Sequence, residues 1–212
     1  MIELLHVIPA FAITVLIIVA VPGQGVAMVL RQSILSGKEA AFYSVIGNST
    51  GLIIWGILSG VGLSAIFQAS PTAFNILKWA GVTYLTILSI QTLYQLKNQA
   101  GKFEFEEGHK ARSFGPAFRI GITTNLTNVK AAVFSVGLVP QFVPNNFNLG
   151  WGIFILCCIW AMISMSWYSL MITVVDKSSK WIQQPKIRRA LTAFSAVGIA
   201  VLAIGLAFTN AN

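Results

Sequence analysis

The sequence predicts an all-α integral membrane protein, with six transmembrane helices arranged as two inverted three-helix repeats in which helices 1 and 4 are broken. Three observations carry this reading. Of 212 residues, 56% are hydrophobic and only 9% are charged, whereas soluble domains run near a quarter charged. Mean hydropathy is +0.76, which excludes a disordered chain together with a water-soluble one. The formal surplus of eight positive charges falls between the apolar runs, where it acts as topogenic charge and does not mark a nucleic-acid-binding surface.

Each span follows from the roughly 20 apolar residues that crossing the hydrocarbon layer requires. Helix 1 covers Leu4 to Leu30, where His6 is the sole ionisable group. Helix 2 runs without a charge from Ala40 to Ser70. Pro71 makes a short turn, and helix 3 follows from about Thr72 to Leu96 with Lys78 inside it. Helix 4 covers Phe118 to Val143. The uncharged run from Lys130 to Asp176 is too long for one span and is cut by a turn from Pro140 to Asn148. Helix 5 is therefore placed at about Gly150 to Val175, and helix 6 at about Leu191 to Phe208. One transporter domain fills residues 1–212: repeat one over about 1–96, a cytoplasmic connector over about 97–117 and repeat two over about 118–212. The first apolar run is too long for a signal-peptide core and lacks a cationic leader and a small-residue cleavage site, so it reads as a retained span.

Loop charges set the orientation. Arg31 and Lys38 separate helices 1 and 2; Lys97, Lys102, Lys110, Arg112 and Arg119 separate 3 and 4; Lys177, Lys180, Lys186, Arg188 and Arg189 separate 5 and 6. The opposite loops and the C-terminus carry no basic residue. The basic loops therefore belong inside a bacterial plasma membrane and both termini outside the cytoplasm. Cys157 and Cys158 are neighbours in helix 5 and read as packing residues, since no His/Cys spacing suggests a metal. No cofactor is implied.

The informative places are two interruptions. Val21-Pro22-Gly23-Gln24-Gly25 lies inside helix 1, and Asn125-Leu126-Thr127-Asn128-Val129-Lys130 lies inside helix 4. Pro22 removes a backbone donor, the glycines weaken the helix, and two Asn and one Thr bring polar groups to membrane depth. Backbone groups freed in hydrocarbon must be satisfied by protein, water or ligand. Taken singly, either site could be a tolerated kink with Asn as interhelical glue. Taken together, they sit half a chain apart, each in the first helix of a three-helix half, and broken helices at corresponding positions of inverted halves point to a substrate site. Half-helix N-termini there suit an anionic group such as a carboxylate.

Lys130 supplies a charge beside the second break. Counted at about 1.5 Å per residue from the outer turn near Val143, it lies about 20 Å deep, where a lysine costs about 2.5 to 3.5 kcal/mol on insertion scales. Its side chain leans toward the cytoplasm and the Asn125–Asn128 interruption, a direction that serves substrate binding and snorkelling alike. Lys78, near the outer turn, reads as an interfacial anchor. Arg31 reads equally as a topology anchor or an inner-gate charge. Gly47-x-x-x-Gly51 and Gly56-x-x-x-Gly60 in helix 2 let another backbone approach closely, and this helix also offers a face for a homodimer.

Val21-Pro22-Gly23, the helix ending Arg31 to Gly37, Gly47-x-x-x-Gly51, Leu77-Lys78-Trp79-Ala80-Gly81-Val82-Thr83-Tyr84-Leu85, Asn125-Leu126-Thr127-Asn128-x-Lys130 and Pro140-Gln141-Phe142 occur in this order. Together they resemble the LysE/RhtB family of amino-acid exporters over nearly the whole chain. The resemblance implies secondary export of amino acids or close derivatives from the bacterial cytoplasm, driven by the proton gradient, with the lipid bilayer and an amino-acid-like substrate as the partners. The chain departs from that family where Gln24 replaces a proline, where Val129 replaces a proline before Lys130, and where Leu52 replaces an acid common after the second glycine of helix 2. Every acidic residue falls in a loop or at a helix end, so none of them serves proton coupling within the membrane in the usual way. The competing readings are a channel or small-ion exporter, a membrane enzyme and a non-transporting accessory subunit. The first lacks an Asp, His or Cys cluster in the spans, the second lacks a nucleophile and base set, and the third does not explain two matched polar breaks.

Overall fold

The computed structural model of the chain describes residues 2–20, 23–69 and 113–182 continuously, with isolated residues between 72 and 94 and between 190 and 204. Among the continuously described residues six α-helices follow one another: α1 (Ile2–Ala20), α2 (Gln24–Leu35), α3 (Lys38–Ala69), α4 (Phe114–Leu126), α5 (Val129–Val133) and α6 (Leu149–Ile182). A π-helical turn at Phe134–Leu138 and a 3-10 turn at Val139–Phe142 lie between α5 and α6. The isolated residues are helical as well, and no strand occurs among the described residues. Glu3–Ala20, Lys38–Gly62 and Leu149–Val174 are long and apolar enough to cross a bilayer. Large side chains such as Ile13 (61% exposed), Val61 (72%) and Trp151 (64%) point outward. Their exposure is the pattern expected of a chain solvated by lipid.

The first expected span holds two helices, α1 and α2, with Gly23 extended ahead of α2. The fourth is likewise divided, into α4 and α5, at Thr127 and Asn128. Val21, Pro22, Pro71, Lys78 and the connector through Arg112 lie outside the described residues. Two boundaries need correction. Helix α2 continues past Leu30 and Arg31 to Leu35, where Gly37 at φ +95° turns the chain and its N–H reaches the Gln32 carbonyl at 3.0 Å. Helix α6 continues past Val175 to Ile182. Charges mark where the bilayer ends, not where a helix ends, and no proline or glycine interrupts the run before Pro185.

Helix α3 is the organising element because small residues let two neighbours touch its backbone. Toward α4, a Cβ at Gly47 would overlap the Phe118 carbonyl, and one at Gly121 would overlap the Ser44 carbonyl. Ser44 Oγ donates to the Ala117 carbonyl at 3.0 Å. Contacts climb together from Ser44–Ala117 to Gly51–Asn125, so α3 and α4 run parallel. Toward α6, Gly56 abuts Cys157, Gly60 abuts the Gly150 backbone, and Ser49 Oγ donates to the Ala161 carbonyl at 3.5 Å. Here the numbers fall as the others rise, and the pair is antiparallel.

This use of the glycines corrects one expectation. Both motifs of α3 are spent on α4 and α6 inside the chain, so they leave no glycine face for a second copy. Aromatic pairs add to the aliphatic core: Phe134 meets Trp160 edge-on at 4.7 Å and Phe11 meets Phe142 at 5.2 Å, with all but Phe142 buried. Phe11 against Phe142 and Ile18 against Lys130 set α1 antiparallel to α5 and the turns that follow it.

Candidate substrate site

At the first break, α1 ends at Ala20 and α2 begins after Gly23, whose backbone is extended (φ −163°, ψ −165°) and caps the helix with no side chain. At the second, α4 ends at Leu126, Asn128 is extended (φ −81°, ψ 99°), and its side chain accepts from the Lys130 backbone N–H at 3.1 Å. Asn128 is thus an N-cap for α5, a role its residue type favours. Each break places a helix C-terminus beside a helix N-terminus within the protein, which brings opposite dipole ends together.

Lys130 joins the two breaks. Its Nζ donates to the Ile18 carbonyl at 3.1 Å. In an unbroken α-helix the donor for that carbonyl would be the N–H of residue 22, and residue 22 is proline. The lysine of the second half therefore serves a carbonyl that the proline of the first half cannot serve. The sequence alone pointed Lys130 at the break beside it; in the structure it crosses to the other one.

Asn125 is 2% exposed and meets Asn48 of α3, its Nδ2 lying 3.5 Å from Asn48 Oδ1. The Asn125 carbonyl accepts from Trp55 Nε1 at 3.4 Å and from the Asn128 N–H at 3.0 Å. Asn48 Nδ2 and Asn125 Oδ1 stay buried without a partner. The amide pair so retains one donor and one acceptor in a neutral setting.

The other expected site residues divide. Gly25 is buried, with the Tyr168 hydroxyl of α6 directly over it. Gly23 is half-buried beside it, whereas Gln24 is exposed. Thr127 is also exposed, and its Oγ1 returns to the Thr123 carbonyl of its own helix at 2.8 Å, the ordinary habit of a threonine in an apolar helix. Thr127 and Gln24 therefore stand away from the buried groups. Gly47 and Gly51 act in packing. Arg31 is half-buried in the second half of α2. Pro22 and Lys78 lie outside the described residues.

Asn48 and Tyr168 were not singled out from sequence. Asn48 had a signal, since Ser44, Gly47, Asn48 and Gly51 form one small and polar stripe at helical spacing. Tyr168 had only its position well inside a long span, away from the interfaces where tyrosine usually sits. Among the described residues, no three of His, Cys, Asp and Glu come together as a metal site.

A family model described as LysE type translocator matches residues 16–210. The chain belongs to the LysE type translocator family. Membership makes it a membrane transport protein and not an enzyme. The chain is 34% identical over 206 residues to the homoserine/homoserine lactone efflux protein of Salmonella typhi, covering 96% of each. The Salmonella typhimurium protein of the same name is 33% identical over the same share. A Bacillus subtilis membrane protein, YrhP, is 23% identical over 207 residues, 95% of this chain and 98% of that one. No solved structure gives a significant match.

Proposed function

We propose that this LysE type translocator is a secondary exporter of amino acids or amino-acid derivatives with neutral, polar side chains, moving them from the cytoplasm across the plasma membrane. The observation that carries this reading is the Lys130–Ile18 contact, which ties a cation to the point where both interrupted spans meet. The efflux proteins that share a third of its residues over nearly its whole length support the direction and the substrate class. The polar side chains around the breaks are amides and hydroxyls, which suit a neutral side chain; the acids of the sequence fall outside its long apolar runs. In this reading Gly23, Gly25, Asn125, Asn128 and Lys130 surround the substrate, Pro22 sets the first break, and Gln24 and Thr127 stand at its margin.

The arrangement follows the six-span plan with two inverted repeats, basic loops inside and both termini outside. Parallel packing of α3 and α4 and the distribution of twelve basic residues in three loops support it. A C-terminal reporter that is active only in the cytoplasm is expected to stay silent, while one inserted at residue 105 is active; the reverse result overturns the orientation. For transport, cells loaded with labelled homoserine or homoserine lactone are expected to lose label faster when the protein is produced. Equal loss with and without the protein, for these and for other neutral amino acids, refutes export.

A further inference from the structure

We infer that Tyr168 and the first turn of α2 together form the receptor for the substrate carboxylate, an inference that rests on the exporter reading above. Helix α2 opens with the backbone N–H groups of Gln24, Gly25 and Val26, which have no acceptor within the helix, and Gly23 offers no side chain to cap them. The chain could have placed a serine or aspartate there, the usual remedy. It leaves instead a bare, positively polarised end.

Over this turn stands the Tyr168 ring of α6, 6% exposed, with its hydroxyl closer than any other of its atoms to where a Gly25 Cβ would stand. No room remains for any side chain at residue 25. Among the described residues the hydroxyl has no hydrogen-bond partner, although a buried phenol ordinarily finds one. A phenol donor set against a helix turn whose backbone donors are free, with a glycine admitting the close approach of the two, is the chemistry of a carboxylate receptor. The Lys130 ammonium, held at the end of α1 by Ile18, lies across the same break and adds positive charge.

Division of labour follows. The carboxylate, common to all amino acids, is held at the first break by Tyr168 and α2, and the variable side chain is left for the amides of the second. Homoserine carries a free carboxylate and its lactone does not, so the two compounds separate the roles. Loss of one hydrogen bond to a charged group weakens an interaction about tenfold or more.

The test compares Tyr168→Phe with wild type at equal membrane abundance, measuring efflux of homoserine and of homoserine lactone over a range of internal concentrations. The expected result is an apparent KM for homoserine raised about tenfold with the lactone value unchanged. Gly25→Ala, whose methyl group would displace the Tyr168 hydroxyl, is expected to impair homoserine efflux more than lactone efflux. If Tyr168→Phe leaves both substrates unchanged or lowers both equally, the tyrosine is a packing residue and the inference fails while the exporter reading stands. If the wild type exports neither compound nor any other neutral amino acid, the exporter reading fails and takes the carboxylate receptor with it.

Discussion

Replacing Lys130 by alanine is expected to reduce efflux at least about tenfold, because it removes a charged hydrogen bond and exposes the Ile18 carbonyl as a buried, unpaired acceptor. The loss should be visible in stability as well. A buried acceptor without a donor costs about 1 to 3 kcal/mol, which a thermal denaturation series in detergent resolves. Pro22→Ala supplies the backbone N–H that residue 22 lacks, so Lys130→Ala should destabilise that background less than it destabilises the wild type. If the two changes are simply additive, the lysine does not substitute for the missing N–H. Lys130→Arg retains a donor and should keep part of the activity. Full efflux from Lys130→Ala would remove Lys130 from the site.

Gly47→Leu is expected to prevent assembly altogether. The first atom of any side chain there would occupy the space of the Phe118 carbonyl oxygen, and backbone, unlike a rotamer, cannot turn aside. Gly121→Leu attacks the same seam from the other side through the Ser44 carbonyl and should fail likewise. Overpacking ordinarily costs about 1 to 3 kcal/mol where side chains can adjust; with two backbones in contact the cost lies above that range. Membrane-inserted protein should be nearly absent for both variants. Gly62→Ala is the control: nothing lies within 4 Å of its Cβ position, so abundance should match the wild type or exceed it slightly. Normal levels of Gly47→Leu would show that the seam is looser than described.

The breaks were legible in the sequence because proline, paired glycines and clustered amides violate what an apolar span needs, and the violation shows without any neighbour. The glycine spacing of helix 2 was legible for the same reason. What the glycines touch was not, since a small residue announces only that something comes close; the identity of the visitor, α4 for Gly47 and α6 for Gly60, is a tertiary fact. The reach of Lys130 to Ile18 was hidden by the same limit, because local helix geometry directs the lysine down its own helix and says nothing of α1. Tyr168 left almost no trace, as one tyrosine in an apolar span differs little from a core phenylalanine until Gly25 is found beneath it. The C-terminal end of α6 was hidden for a different reason: hydropathy reads the solvent, while helix formation continues for as long as the backbone permits.

A proline at 22 and a lysine at 130 amount to one trait written in two distant places. The proline creates a vacancy in the hydrogen-bond ladder of one half of the molecule, and the lysine fills it from the other half. A sequence that regains a peptide N–H at residue 22 releases residue 130 from that post, and a sequence that loses the lysine inherits an unrepaired defect. Neither position can be judged by itself when variants of this chain are compared or when its halves are exchanged with those of a relative.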